Sequence, residues 1–243
     1  MNLPWLDTDY PDFPDVGQAF TSPNGLLAAG GGLSPRWLIN AYQRGIFPWY
    51  EADQPILWWC PDPRMVLFPN ELHISRSLSK LIRNHSFQVS TDRDFDAVIT
   101  ACAAPRLQSG GTWITTELKS AYKRLHTLGI AHSIEVRDRE KLIGGLYGVA
   151  LGKVFFGESM FSHSSNSSKI ALVLLVQHLR QWGYKLIDCQ VATGHLSSMG
   201  AREISRQEFL VRLKELVGTQ TTPVYWPAPN EEIAWQLAEH SGL

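Results

Sequence analysis

The order of the apolar segments between residues 131 and 191 constrains the fold more than any other feature of this sequence. Three consecutive strand-like segments are followed by a helix-like segment and a fourth strand-like segment, at 131–138, 142–150, 153–161, 167–182 and 184–191. Short connections favour an antiparallel meander for the first three strands, and the strand–helix–strand order is typical of a βαβ crossover. We therefore predict an α+β fold with a mixed sheet.

Helices are predicted on both sides of this segment. Ser34 is a suitable helix N-cap, Pro35 fits the first helical position, and Gly45 fits the helix end. Apolar spacing predicts further helices at about 72–84, 93–103, 115–129, 195–201 and 205–217. The stripe of the 115–129 helix includes Leu128, so this side chain is expected to be buried.

A break in the chain is predicted at Pro61-Asp62-Pro63. Residues 1–60 are rich in turn formers and aromatic side chains and carry six acids and two bases. Residues 61–130 carry nine bases and six acids, so the charge changes sign at this point. We expect a small N-terminal domain over 1–62 and a larger domain over 63–243.

The composition excludes several classes of protein. The chain is 44% hydrophobic and 19% charged, with a net charge of −1, so a strongly basic nucleic-acid binder is not expected. No apolar run approaches the ~18 residues of a membrane span, and the N-terminus lacks the pattern of a signal peptide. The three cysteines form no metal or redox motif, so we expect reduced thiols, a cytoplasmic location and no metal.

Two carboxylates stand inside apolar strand segments. Glu158 lies within 154–161 and Asp188 lies within 186–191. Strand alternation puts each on a face with further side chains, namely Val154, Phe156 and Met160 for Glu158, and Leu186 and Gln190 for Asp188. A buried carboxylate must find a partner or shift its pKa. Each acid could be structural and pair with a buried base such as Arg202, or the two could share a functional cleft.

Aromatic and basic side chains form a second set of candidates. Trp49 and Trp113 stand in Pro- or Gly-rich contexts that could display an indole for stacking on a nucleobase, although most tryptophans belong to the core. Arg76, Lys80 and Arg83 share one helix face, which could be a solvated face or could grip a phosphate backbone.

Two further features have both a structural and a functional interpretation. The loop 162–169 precedes a helix, so it could bind an anion through backbone N–H groups, or Asn166 or Ser167 could simply cap the helix. His195 is a candidate base, but a single histidine near a helix start is usually structural.

Short stretches spread over the chain from about residue 13 to 213 carry a resemblance to a known family. They are Pro23-Asn24-Gly25-Leu26-Leu27-Ala28, Ala41-Tyr42-Gln43-Arg44-Gly45-Ile46-Phe47-Pro48-Trp49, Pro61-Asp62-Pro63-Arg64, Leu72-His73-Ile74-Ser75-Arg76-Ser77, Gly111-Thr112-Trp113-Ile114, Gly144-Gly145-Leu146-Tyr147-Gly148, Gly157-Glu158-Ser159-Met160-Phe161-Ser162 and Ile187-Asp188-Cys189-Gln190. Together they resemble the leucyl/phenylalanyl-tRNA–protein transferase family.

The resemblance implies a fold and an activity. The fold would be a small N-terminal domain followed by an acetyltransferase-like (GNAT-like) domain. The activity would be transfer of Leu or Phe from aminoacyl-tRNA to the α-amine of proteins that begin with Arg or Lys, which marks those proteins for degradation as N-degrons. The resemblance also implies a bacterial cytoplasmic enzyme. No cofactor is expected, because no cluster of residues has the spacing of a ligand set, and nothing in the sequence demands more than a monomer.

The resemblance also implies roles for individual residues. Trp49 and Trp113 would hold the terminal adenosine of the tRNA, and Leu146 and Phe155 would line the pocket for the Leu or Phe side chain. Glu158, Asp188 and Gln190 would lie at the reacting centre, and Arg76, Lys80 and Arg83 would contact the acceptor stem. Three positions, Gly32, Cys60 and Arg137, depart from residues that are common in the family.

A mechanism can be stated as a hypothesis from these roles. The reaction is aminolysis of an activated ester, in which the amine must be neutral and correctly aimed. Asp188 would orient the amine and help to deprotonate it, and Gln190 would hold the geometry through hydrogen bonds. Glu158 would hold the acceptor or the aminoacyl group.

Two alternatives remain open from the sequence. The first is an acyl-CoA-dependent N-acetyltransferase, which needs a Gly-rich pyrophosphate loop, whereas 162–169 is Ser-rich and contains no Gly. The second is a non-catalytic tRNA-binding module, which the near-neutral charge and the clustered polar residues disfavour.

Overall fold

The computed structural model describes residues 2–104, 113–218 and 226, and it contains two β-sheets. The first sheet has the strand order β1-β2-β4-β3, formed by β1 (Trp5–Leu6), β2 (Leu26–Gly30), β3 (Phe47–Pro48) and β4 (Leu57–Trp59). Within it, β1 and β2 are parallel, and the remaining pairs are antiparallel. All four strands lie before residue 62.

The second sheet has seven strands and carries the candidate site. Its strands are β5 (Arg64–Leu67), β6 (Gln88–Thr91), β7 (Ala131–Asp138), β8 (Lys141–Leu151), β9 (Val154–Ser162), β10 (Leu186–Gln190) and β11 (Arg202–Ile204). Their order is β11-β5-β10-β9-β8-β7-β6. The β7-β8-β9 meander is antiparallel, whereas β9 and β10 are parallel neighbours. The predicted α+β class with a mixed sheet and one βαβ crossover is therefore confirmed.

The helices lie where the sequence pattern predicts them, but some begin or end at different residues. They are α1 (Pro35–Gln43), α2 (Arg76–Asn84), α3 (Phe95–Cys102), α4 (Thr116–Thr127), α5 (Ser167–Gln181), the one-turn α6 (Gly194–Ser197) and α7 (Arg206–Val217). The helix predicted from residue 72 begins only at Arg76, because the Ser75 side chain caps the backbone N–H of Leu78.

One other prediction along the chain is wrong, and one strand was missed. Leu128 is 53% exposed, because α4 ends at Thr127 and Leu128 follows the last helical residue. The strand β11 was not predicted, because three residues, two of them charged, give no recognisable alternation.

The second sheet is covered by helices on both faces, and each face has its own apolar cluster. The first cluster joins one face to α1, α3, α4 and α7, and includes Leu38, Ile99, Leu125, Phe156 and Phe209. The second cluster joins the other face to α2 and α5, and includes Leu78, Leu146, Phe155, Leu174 and Ile187. Within the described part of the chain, no helix has both the length and the apolar character to cross a membrane.

Candidate active site

Glu158 is the extra residue of a β-bulge in β9. In the register with β8, Tyr147 pairs with Ser159 and Gly148 pairs with Gly157, so Glu158 has no partner across the ladder. A bulge bends the strand and re-aims the side chain at that position. The prediction that Met160 shares the face of Glu158 is wrong for this reason, since Met160 packs against the second cluster.

The Glu158 carboxylate accepts three hydrogen bonds from side chains. Oε1 accepts from the Tyr42 hydroxyl at 2.7 Å and from Gln190 Nε2 at 2.7 Å. Oε2 accepts from the Tyr122 hydroxyl at 2.6 Å. Glu158 is only 7% exposed, and both phenols are fully buried. Because a carboxylate offers about four lone-pair sites, acceptor capacity remains for one further donor.

The surroundings of Glu158 raise its pKa to about 7. Burial is the largest cause, because a low-dielectric environment disfavours the charged form. The hydrogen bonds from Tyr122, Tyr42 and Gln190 oppose this shift, and the nearby charge of Asp188 adds to it. A carboxyl group that titrates near neutral pH can both take up and return a proton under cellular conditions.

Gln190 reaches Glu158 through an irregularity at the end of β10. The register with β5 shifts between Asp188 and Gln190, so Cys189 is the extra residue. The φ angle of Gln190 is +62°, which is uncommon for a residue other than glycine. Its backbone N–H donates to Asp188 Oδ1 at 3.0 Å. Backbone strain of this kind is often found at functional sites.

Asp188 forms a buried ion pair with Arg64. Arg64 donates from Nε to Oδ1 at 2.8 Å and from Nη2 to Oδ2 at 2.6 Å, and both side chains are buried. The open alternative that Asp188 pairs with a buried base is therefore confirmed, but the base is not Arg202, which lies on the edge strand β11 and forms an exposed ion pair with Glu71. Asp188 is completely buried and both of its oxygens accept hydrogen bonds from a fixed cation, so it is poorly placed to contact an attacking amine.

The predicted pocket residues Leu146 and Phe155 lie on the opposite face of the sheet from the Glu158 side chain. Both are buried in the second cluster, whereas Tyr42 and Tyr122 belong to the first. Leu146 pairs with Met160 in the β8–β9 register. The Phe155 ring packs directly against Gly148. A Cβ atom on residue 148 would lie only 2.6 Å from this ring, so the contact requires glycine.

The two predicted adenosine-binding tryptophans differ in exposure. Trp49 is 44% exposed, and its ring lies 5.7 Å from that of Trp59, whose indole N–H donates to the Trp49 carbonyl oxygen. Trp113 is partly buried and packs against the first cluster. The residues Gly111 and Thr112 that precede it lie outside the described part of the chain.

The three predicted basic side chains form an exposed face of α2. Arg76, Lys80 and Arg83 are exposed, whereas Leu78 and Ile82 on the opposite side of the helix are buried. Among the described residues, no acid forms a salt bridge with these three cations. The face is therefore open to a polyanion.

Hydroxyl groups of the loop at 162–169 form hydrogen bonds within the loop and to the neighbouring strand β8. Ser167 Oγ lies 2.7 Å from the carbonyl oxygens of both Ile143 and Ser164, and its single O–H is shared between them. Asn166 occupies the N-cap position of α5 in the left-handed region, and its side chain makes no capping hydrogen bond. Across residues 2–104, 113–218 and 226, no three His, Cys, Asp or Glu side chains are grouped so that they could hold a metal ion.

His195 lies on α6 and takes no part in the hydrogen bonds around Glu158. Burial and then the charge of Lys169 lower its pKa, which favours the neutral imidazole. Its Nε2 atom is buried and has no hydrogen-bond partner among the described residues. The structure therefore gives no support to His195 as the base of this site.

Three residues of the site were missed as functional candidates in the sequence. Tyr42 occurs in a matched stretch, and Tyr122 on the apolar stripe of α4, but a buried phenol has no distinctive sequence pattern. Arg64 carried a usable signal, because it is a charged residue that opens the apolar segment Arg64–Leu67. The same reasoning that singled out Glu158 and Asp188 applies to it.

Two family models and several named relatives match this chain. The family model described as "Leucyl/phenylalanyl-tRNA protein transferase" matches residues 66–214, and the model of its N-terminal domain matches residues 31–62. A relative from Nitrosospira multiformis is 56% identical over 231 residues, which is 95% of this chain and 99% of the relative. Relatives from Pseudomonas putida and Pseudomonas aeruginosa are each 60% identical over 85% of this chain and 92% of their own length. All three are named leucyl/phenylalanyl-tRNA–protein transferase.

Two solved structures show distant similarity to this chain. L-PGS from Bacillus licheniformis is 8% identical, with a TM-score of 0.41 over 65% of each chain. A GCN5-related N-acetyltransferase from Kribbella flavida is 10% identical, with a TM-score of 0.31 over 70% of this chain and 61% of the other.

Proposed function

The chain belongs to the leucyl/phenylalanyl-tRNA–protein transferase family, and from this premise we propose that it transfers Leu or Phe to the α-amine of proteins that begin with Arg or Lys. It is an aminoacyl-tRNA–protein transferase, and its products would be N-degrons. We further propose that it acts in the cytoplasm as a monomer, and that it is divided into domains over 1–62 and 63–243.

The observation that carries the chemical proposal is the Glu158 carboxyl group with its pKa of about 7 and its three hydrogen-bond donors. The neutral amine attacks the ester carbonyl carbon, so a C–N bond forms. The nitrogen then loses a proton to Glu158. As the C–O bond to the ribose breaks, Glu158 returns this proton to the leaving oxygen. The α-amine has an ordinary pKa of ~8, so part of it is already neutral at cellular pH.

Asp188 and Gln190 have supporting roles in this proposal. Arg64 fixes Asp188, which in turn accepts the backbone N–H of Gln190 and so fixes the end of β10. The Gln190 amide N–H donates to Glu158. Its side-chain oxygen, which accepts no hydrogen bond from the described residues, would accept one from the attacking amine. Gln190 would thus align the amine with the carboxylate.

Leu146 and Phe155 remain the proposed wall for the transferred side chain, and because they lie across the sheet from the Glu158 carboxylate, the aminoacyl group would have to reach from one face to the other. Both belong to the second cluster, which supplies the apolar surroundings that Leu and Phe require. An apolar pocket rejects polar side chains, because their polar groups would be left without hydrogen-bond partners. It separates apolar side chains mainly by shape, at about 1–3 kcal/mol per methylene.

The tRNA would be held at two places. The displayed indole of Trp49, together with Trp113, would stack on the terminal adenosine. The exposed cations of α2, which are Arg76, Lys80 and Arg83, would contact phosphates of the acceptor stem. The second contact is sequence-independent, and it weakens as the salt concentration rises.

Substitution of Trp49 by Ala tests the stacking contact. Loss of one base–aromatic stack costs about 1–3 kcal/mol, so KM for leucyl-tRNA is expected to rise roughly 5- to 150-fold. The matched control is Trp5→Ala, because Trp5 is 71% exposed and lies in β1, at the opposite edge of the first sheet from β3, which Trp49 follows. A KM that is unchanged by Trp49→Ala, or equally raised by both variants, would argue against stacking on Trp49.

The acceptor preference is tested with two otherwise identical peptides that begin with Arg and with Glu. We expect labelled Leu to pass from charged tRNA to the Arg peptide and not to the Glu peptide. A Lys peptide should also accept Leu. Equal transfer to the Arg and Glu peptides would contradict the proposed acceptor, and no transfer from intact charged tRNA would contradict the proposed reaction. In the latter case, binding of acyl-CoA is the next measurement.

A further inference from the structure

Two tyrosines from different helices meet at the Glu158 carboxylate. Tyr42 lies near the end of α1 and Tyr122 lies in α4, and their hydroxyl oxygens are 2.6 Å apart. Each hydroxyl also lies within hydrogen-bond distance of a different carboxylate oxygen, at 2.7 and 2.6 Å. Both side chains are completely buried. Together the two hydroxyls bracket the side of the carboxyl group that faces the first cluster.

This arrangement is more specific than core packing requires. Two phenylalanines would fill the same volume between the helices and the sheet, and they would bury no polar atom. The two phenols instead direct their hydroxyls at Glu158, whose pKa is raised to about 7. A third buried phenol, that of Tyr147, packs at 5.4 Å from the Tyr122 ring, but its hydroxyl has no hydrogen-bond partner among the described residues.

The remaining charged and titratable groups around Glu158 come from β5, β8 and β10. Asp188 is paired with Arg64, so the net charge of these two groups is zero. Burial raises the pKa of Tyr42, Tyr122 and Tyr147, so all three phenols keep their protons at neutral pH. The donors that favour the ionised form of Glu158 are therefore the two tyrosine hydroxyls and the Gln190 amide.

We propose that Tyr42 and Tyr122 are positioning residues for the transfer reaction, and that their hydroxyls keep the Glu158 carboxylate ionised and aimed so that it can accept the proton of the attacking amine. This inference rests on the proposed role of Glu158. It also means that the segment before residue 62 completes the reacting centre, because α1 contributes Tyr42 to it.

The test compares Tyr42→Phe, Tyr122→Phe and the matched control Tyr147→Phe. All three changes keep the ring and remove one buried hydroxyl, so folding is expected to be preserved. The titration of Glu158 is followed through the 13C resonance of its labelled carboxyl group, which is assigned by its absence in Glu158→Gln. Loss of a donor to the carboxylate should raise the midpoint by about one pH unit in each of the first two variants. The control should titrate like the wild type.

The rates of transfer give a second readout. With a midpoint about one unit higher, each of the first two variants should lose about fivefold in rate at pH 7 and largely recover it at pH 8.5. A merely structural role would lower the rate equally at both pH values. Wild-type midpoints in Tyr42→Phe and Tyr122→Phe would overturn the inference while leaving the role of Glu158 intact. Wild-type transfer by Glu158→Gln would instead overturn the role of Glu158 itself.

Discussion

Replacement of Glu158 by Gln should lower kcat/KM for leucyl transfer by roughly 10²–10⁴-fold, which is the usual contribution of a general base. Gln has nearly the same shape and can still accept hydrogen bonds from the tyrosines, but it cannot take up a proton. The loss should appear in the chemical step, so binding of charged tRNA should change little. Single-turnover transfer from leucyl-tRNA to an Arg peptide, together with a binding titration, measures both quantities.

Glu135→Gln is the matched control for this substitution. Glu135 is also fully buried, and it accepts hydrogen bonds from Ser90, Ser133 and the backbone N–H of Arg93. Burial raises its pKa as well, but none of its partners belongs to the Glu158 network. Transfer should therefore remain near the wild-type rate. If both variants lost activity equally, the loss would reflect the removal of a buried charge and not the chemistry of Glu158.

Replacement of Arg64 by Ala should have the largest effect on stability. The change leaves the buried Asp188 carboxylate without its partner, and breaking a buried ion pair in this way costs about 3–5 kcal/mol. It also removes a guanidinium group that lies between the rings of Phe47 and Phe209, at 4.8 and 4.6 Å from their centroids. Because these rings come from β3 and α7, the loss should loosen the contact of both with the sheet. Urea unfolding measures the change.

Arg202→Ala is the control for Arg64. Arg202 pairs with Glu71 at 2.9 Å, but about half of each side chain is exposed. Exposed pairs contribute about 0–1 kcal/mol, so the free energy of unfolding should change little. If Arg64→Ala were no more destabilising than Arg202→Ala, the Arg64–Asp188 pair would not hold β5 and β10 together as described. Activity measured on the folded fraction would then separate stability from catalysis.

The parts of the fold that follow from local pattern could be predicted from the sequence. The meander and the βαβ crossover depend on apolar periodicity over whole segments, and the structure has both. The start of α2 shows what periodicity cannot predict. The apolar pattern extends back to residue 72, but the helix begins at Arg76 because the Ser75 side chain caps it there. Helix ends depend on single hydrogen bonds, which periodicity does not reveal.

The candidate site was predictable only in part. Glu158 and Asp188 were recognisable because a carboxylate inside an apolar strand must have a partner. Which base pairs with Asp188 depends on the strand next to β10, and no local pattern indicates that β5 brings Arg64 there. The bulge at Glu158 was equally hidden, because it is a property of the pairing between β8 and β9. Because Arg64 occupies both oxygens of Asp188, we propose Glu158 and not Asp188 as the base.

The measurement that tests the central claim most directly is the pH dependence of single-turnover transfer by the wild type and by Glu158→Gln. Glu158 acts in its deprotonated form, so its contribution rises as the pH increases through its pKa of about 7. The α-amine of the acceptor adds its own rise near ~8 in both proteins. We predict an acid limb near pH 7 in the wild type that is absent from the variant. Identical profiles in the two proteins would contradict Glu158 as the proton acceptor.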